Sequence, residues 1–93
     1  MRTIEKTGQF KRDFKRESKG KHRKSINDDL VNILKLLLAD VTLPEKFFDH
    51  AMIGKWNDHR NCHIKPDLVL LYRLPDEKTL QLVRLGSHSE LGI

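Results

Sequence analysis

Apolar residues recur along this chain at two different periods. Ile26, Leu30, Ile33, Leu34, Leu37, Leu38 and Val41 fall three or four residues apart, which places them on one face of a helix. Ser25 or Asn27 can cap its start, Asp28 and Asp29 suit the positive end of its dipole, and Thr42-Leu43-Pro44 is expected to end it. Upstream, Phe10 and Phe14 share a face of a shorter helix that Thr7 can cap and that ends within Ser18 to Lys21, at Gly20. The short turn between the two predicts an antiparallel helical hairpin. Elsewhere the period is two, or there is none. Arg2 to Lys6 alternates as an edge strand would, and Arg60 to Ile64 puts Cys62 and Ile64 on one face and His63 on the other. Leu68 to Tyr72 is apolar throughout, as a central strand covered on both faces requires. Pro75 to Lys78 is a turn, and Thr79 to Leu85 completes a hairpin. Glu45 to Trp56 is irregular, with Gly54 as a breaker, and Gly86 to Ile93 reads as a short tail. The order predicts an α+β domain: an N-terminal strand, an antiparallel two-helix hairpin, then three antiparallel strands in one sheet with the helices on one face.

Length narrows this to a single domain, residues 1–93. The lone cysteine, Cys62, rules out an intramolecular disulfide scaffold. The polar start resembles no signal peptide, and the run Ile33 to Val41 is too short to span a bilayer, so a cytoplasmic protein with no membrane association is expected. The net charge of +5 is concentrated at one end. Residues 1–24 hold ten basic and three acidic side chains, whereas the rest of the chain is slightly acidic. Lys11, Arg12, Lys15, Arg16, Lys19, Lys21, Arg23 and Lys24 make a segment that suits a polyanion or, equally, a solvated helix face.

Candidate chemistry gathers around the strands. His50 precedes them, His59, Arg60 and His63 lie on or near the first, Lys65 and Asp67 flank its end, and Arg84 and His88 close the last. If the strands are antiparallel neighbours, Arg84 and His88 converge with His63 and Asp67. Such a set suits RNA cleavage. Histidines can take the proton of a 2′-hydroxyl and return one to the leaving 5′-oxygen, and an arginine can hold the phosphate, with no metal or other cofactor. Trp56 and Tyr72 are the candidates for stacking on bases or for support. Simpler roles stand beside these: Trp56 as a cap on the core, Tyr72 as a core residue, Asp67 as turn chemistry, His22 and His59 as surface residues. Arg84 interrupts an apolar strand, where a charge is costly unless paired or facing a cleft. A zinc site from His59, Cys62, His63 and His88 is disfavoured, because residues 62 and 63 point to opposite faces of a strand.

A larger set of residues carries a resemblance. Leu43-Pro44, Asp49-His50, Gly54-Lys55-Trp56, Arg60, His63-Ile64-Lys65-Pro66-Asp67 and Leu70-Leu71-Tyr72 come in that order. They are followed by Arg84-Leu85-Gly86-Ser87-His88-Ser89-Glu90-Leu91. Together they resemble the YafQ branch of the RelE/ParE toxin superfamily across essentially the whole chain. The resemblance implies a RelE-like fold and the toxin of a type II toxin–antitoxin pair, which enters the ribosomal A site and cuts messenger RNA through 2′-hydroxyl attack. It places the catalytic positions on His50, His63, Asp67, Arg84 and His88, with His88 as general acid, His50 or Asp67 as base, Arg84 on the phosphate and His63 in support. The basic segment, with Lys65, would hold ribosomal RNA. The implied partner is a ribbon-helix-helix DNA-binding antitoxin, through which alone the toxin would meet operator DNA. Two positions depart from the branch: Leu68 stands where a tryptophan is found, and Gly92-Ile93 where relatives end in an aromatic. The other readings are a ParE-like inhibitor of a DNA topoisomerase that does not cut RNA, and a basic RNA-binding module. An inhibitor needs no acid–base set, so the histidines speak against the former.

Overall fold

The unbroken apolar run forms the centre of the molecule. In the computed structural model, which describes residues 2–93, Leu68–Arg73 is strand β4, and its first five residues are at most 1% exposed. The other elements are β1 (Thr3–Lys6), α1 (Gly8–Glu17), α2 (Ile26–Leu38), β2 (His50–Ala51), β3 (His59–Lys65), β5 (Thr79–Gly86) and α3 (His88–Leu91). Strand order in the single sheet is β1-β5-β4-β3-β2. β4 lies between two antiparallel neighbours, while β1 joins the far edge parallel to β5. The sheet is therefore mixed, with five strands among the described residues. The two-residue β2 was not expected from the irregular stretch that contains it.

Side-chain alternation divides the strands. Leu68, Leu70 and Tyr72 join Cys62, Ile64, Leu80, Leu82 and Leu85 in a core shared with Phe10, Ile26, Leu30, Ile33 and Leu37 of the helices. Each such leucine contributes roughly 1.5–3 kcal/mol by leaving water. α1 packs on β5 and α2 on β3. Opposed residues of paired strands share a face, so His63, Val69 and Gly86 form one row, and Asn61, Leu71 and Arg84 the next. The hairpin turn Pro66-Asp67 and a register shift between His63 and Lys65 set where the first row ends.

The helix ends follow local chemistry. Thr7 Oγ1 accepts from the Phe10 amide at 3.0 Å and donates to the Val83 carbonyl at 2.8 Å, so one hydroxyl caps α1 and pins it to β5. α2 stops at Leu38, earlier than its apolar period suggested. Asp40 takes a left-handed conformation (φ 57°), and the Asp40 and Val41 amides turn back to the Leu37 and Leu36 carbonyls at 3.1 and 3.0 Å. This is a Schellman ending with aspartate in place of the usual glycine. It leaves Val41 exposed rather than on the core face. Ser25 precedes α2 but makes no side-chain cap. The segment read as a tail forms α3, whose start is fixed by a capping box: Ser87 Oγ accepts from the Glu90 amide at 3.1 Å, and Glu90 Oε1 accepts from the Ser87 amide at 2.9 Å. No helix among the described residues is long and apolar enough to cross a membrane.

Candidate functional site

Three histidines are brought together from separate elements. His63 stands on β3, His88 opens α3, and His50 lies on β2. The rings of His63 and His88 meet edge to face with centroids 4.9 Å apart. The capping box therefore does more than end a helix: it sets the backbone from which His88 reaches His63. Burial, followed by the nearby His88 and His50, holds His63 below the usual histidine value. Each of these causes favours the neutral ring. His50 Nδ1 lies 2.8 Å from the Phe48 carbonyl. A carbonyl only accepts, so Nδ1 carries the proton, and in the neutral ring Nε2 keeps a free lone pair.

His63 also gives a pH prediction. Its folded-state value is lowered, so the unfolded chain binds the extra proton first. Stability from this group is present above the ordinary histidine value of 6.5 and is lost as pH falls through the folded value. A proton-NMR titration should find the His63 ring titrating below 6.5, and a midpoint at or above 6.5 would contradict the burial argument.

Arg84 is anchored rather than free. Its Nε and Nη2 donate to Asp13 of α1 at 2.7 and 3.3 Å. Asp13 is 2% exposed and also accepts from the Leu85 amide at 3.0 Å and from Arg16 at 3.0 Å. Burial pushes the Asp13 carboxyl up. The Arg84 and Leu85 hydrogen bonds and the Arg84 and Arg16 charges outweigh it, and hold the carboxyl below its usual range. A guanidinium has five N–H donors, and Asp13 engages only part of this fork. Asp13 was missed, although a signal existed: an acid between Phe10 and Phe14, on their own helix face, needs a buried cation.

Arg16 has little left for a polyanion. It pairs with Asp13, Glu17 at 2.9 Å and Glu90 at 3.2 Å, and donates to the Leu85 carbonyl at 2.8 Å. Gly86 makes room for this approach, since a Cβ there would stand 2.8 Å from the Arg16 guanidinium. Lys11, Arg12, Lys15, Lys19, Lys21, Arg23 and Lys24 are exposed. Among them, Lys21 is ion-paired with Asp67.

The remaining predicted residues have partners of their own or lie inside the fold. Asp67, in the β3–β4 turn, is bound to Lys21 and lies 3.1 Å from His22 Nε2. The Lys21 hydrogen bond above all holds its carboxyl below the usual range. His22, expected as a surface residue, thus has a specific partner. Lys65 pairs with Asp29 at 2.8 Å. Tyr72 is 1% exposed, so the stacking role suggested for it is corrected. Its hydroxyl donates to Asp49 at 2.5 Å, and Arg60 holds the same carboxylate at 3.3 Å. Trp56 is half-buried, with its ring edge-on to His59 at 5.3 Å. Cys62 is fully buried on the core side of β3, and burial pushes its thiol up to about 12, far from a metal-binding thiolate.

Beside His63 opens a cleft of about 550 Å³ between α2, the turn Glu45–Phe47 and the end of β3. Phe48 forms part of its wall, with its ring centroid 5.4 Å from that of His63. Phe48 was also missed, because a Phe pair in an irregular segment has no periodicity to mark which ring faces outward.

Comparison with known proteins identifies the family. A family model for the bacterial toxin YafQ of type II toxin–antitoxin systems matches residues 2–92. The mRNA interferase toxin YafQ of Escherichia coli strain K12 is 36% identical over 92 residues, covering 98% of this chain and 96% of that protein. The crystal structure of YafQ from Escherichia coli strain BL21(DE3) superposes with a TM-score of 0.85 at 33% identity, covering 98% of both chains. YafQ in the Escherichia coli DinJ–YafQ toxin–antitoxin complex gives 0.83 at 34% identity, over 97% of this chain and 96% of that one. The fold and these likenesses agree, and the chain belongs to the YafQ family of bacterial type II toxin–antitoxin toxins.

Proposed function

We propose that the chain is an endoribonuclease that cuts messenger RNA in the ribosomal A site by acid–base chemistry and so stops translation. The observation that carries the reading is the pair of touching imidazoles, His63 and His88, with His50 nearby in a fixed tautomer. In the proposed reaction, His50 Nε2 takes the proton of the 2′-hydroxyl and the 2′-oxygen attacks phosphorus. The bond to the 5′-oxygen breaks, and His88 supplies that oxygen's proton. The products are a 2′,3′-cyclic phosphate and a 5′-hydroxyl end. Arg84 offers the donors that Asp13 leaves free to the phosphate oxygens. His63, whose neutral form is favoured by burial, supports His88. Asp67 is the other candidate base, but its engagement by Lys21 and His22 favours His50. Every proton step is assigned to a side chain, so the scheme calls for no metal.

The exposed cations of α1 and the following turn would bind ribosomal RNA. A small antitoxin, of ribbon-helix-helix type, would neutralise the toxin and carry it to operator DNA. DinJ, in complex with the similar YafQ, supports an antitoxin as partner. The test is primer extension on a defined message with and without programmed ribosomes, using the wild-type protein and His88→Ala. Discrete cuts that need ribosomes and vanish in the variant are expected. Folded wild-type protein that leaves the message intact in both settings would overturn the reading in favour of an inhibitor or a binding module.

A further inference from the structure

The mechanism leaves one conspicuous side chain unused. Phe48 is 64% exposed, while its neighbour Phe47 packs against the core. It holds a left-handed conformation, φ 49° and ψ 42°, which a bulky residue rarely adopts and which must be maintained by its surroundings. Two contacts tie it to the histidines. Its carbonyl accepts from His50 Nδ1, and its ring lies against His63. The same ring borders the cleft of about 550 Å³, within the range of small-ligand sites, with Lys46 and Asn32 on other walls. The rest of the aromatic inventory is engaged elsewhere. Phe10 and Tyr72 are buried, Phe14 and Phe47 pack on the core, and Trp56 meets His59.

We infer that Phe48 is the base-stacking residue of the site: its ring and the adjoining cleft receive the nucleobase of a nucleotide flanking the cleaved bond. This rests on the endoribonuclease reading and adds the means by which the message is positioned. Stacking needs an apolar face open to solvent beside the reacting groups, and Phe48 offers it. The strained turn couples the two tasks, because the backbone that turns the ring outward also aims the Phe48 carbonyl at His50. A ring stacked on a base excludes water from the histidine pair without any charge of its own. Lys46 lines the same cleft and suits the flanking phosphate.

The experiment compares wild type, Phe48→Tyr and Phe48→Leu on programmed ribosomes. One assay follows cleavage of the natural message. The other uses a message with 5-iodouridine in the A-site codon and a 2′-O-methyl block, irradiated and mapped for crosslinks. Phe48→Leu should lower kcat/KM roughly 5- to 150-fold, the worth of one stacked base, and lose the crosslink at residue 48. Phe48→Tyr should retain both. Thermal midpoints should be alike, because the exposed ring fills no core space. If wild type and Phe48→Leu cut equally and the crosslink falls elsewhere, the inference is overturned while the nuclease reading stands. If wild type does not cut at all, the nuclease reading falls and takes this one with it.

Discussion

Asp13→Ala is expected to destabilise the protein by about 3–5 kcal/mol, the loss typical of removing one partner from a buried charge pair. The carboxylate is nearly inaccessible and serves Arg84, Arg16 and the Leu85 amide at once. Its removal leaves a guanidinium and an amide without partners beside an apolar strand. Against a usual domain stability of about 5–15 kcal/mol, that is a large fraction. Urea unfolding should show the loss as a lower midpoint at unchanged slope. Asp13→Asn should fall between, since its amide oxygen keeps one acceptor. The folded-state value of Asp13 is lowered, so its stabilisation is present above the ordinary carboxylate value of 3.8 and lost as pH falls through the folded value. The asparagine variant should therefore show a flatter acid limb. A change below about 1 kcal/mol in the alanine variant would mean that the pairing is a surface convenience. Cleavage should fall as well, because Arg84 would lose the clamp that aims it.

His88→Ala should instead leave stability almost untouched and reduce cleavage by about 10²–10⁴-fold, the usual contribution of a general acid. The side chain is exposed, and the α3 cap is made by Ser87 and Glu90, so the fold does not depend on the imidazole. Single-turnover cleavage on programmed ribosomes measures the loss. The pH profile separates roles: if His88 gives the proton, the alkaline limb of the wild-type profile should disappear in the variant. A loss under about three-fold would assign the acid elsewhere, given that a positioned acid is worth far more. A chain with intact melting and lost cleavage would contrast directly with Asp13→Ala, where both fall.

Much of the architecture was legible because local rules and the core agreed. The apolar run Leu68 to Tyr72 became the central strand, since a strand covered on both faces leaves no polar position. Thr7 became the cap of α1 for the reason anticipated, an oxygen placed to accept an orphan amide. Where the reading failed, a short or left-handed element was decisive. Asp40 ended α2 ahead of the proline, and no periodicity marks an aspartate that will adopt positive φ. β2 has two residues and α3 four, too few for a repeating pattern to show. β2 exists because β3 supplies its partners, and α3 is held by a capping box whose Ser and Glu were present but not read as such.

By itself the chain determined the class of elements, the central strand, the basic N-terminal segment and the inventory of imidazoles. These depend on composition and on spacing within a few residues. Which imidazoles meet, and which charges are already spent, was decided by tertiary structure. His63 and His88 are 25 positions apart in sequence and touch only because β5 carries α3 back beside β3. Arg84 and Arg16 read alike as cations, yet one buried carboxylate on α1 captures both. Phe47 and Phe48 are chemically identical neighbours, and a single left-handed backbone position sends one toward the core and the other toward solvent. Long-range pairing makes these choices because burial and charge compensation are properties of the packed whole, and no short window of sequence contains them.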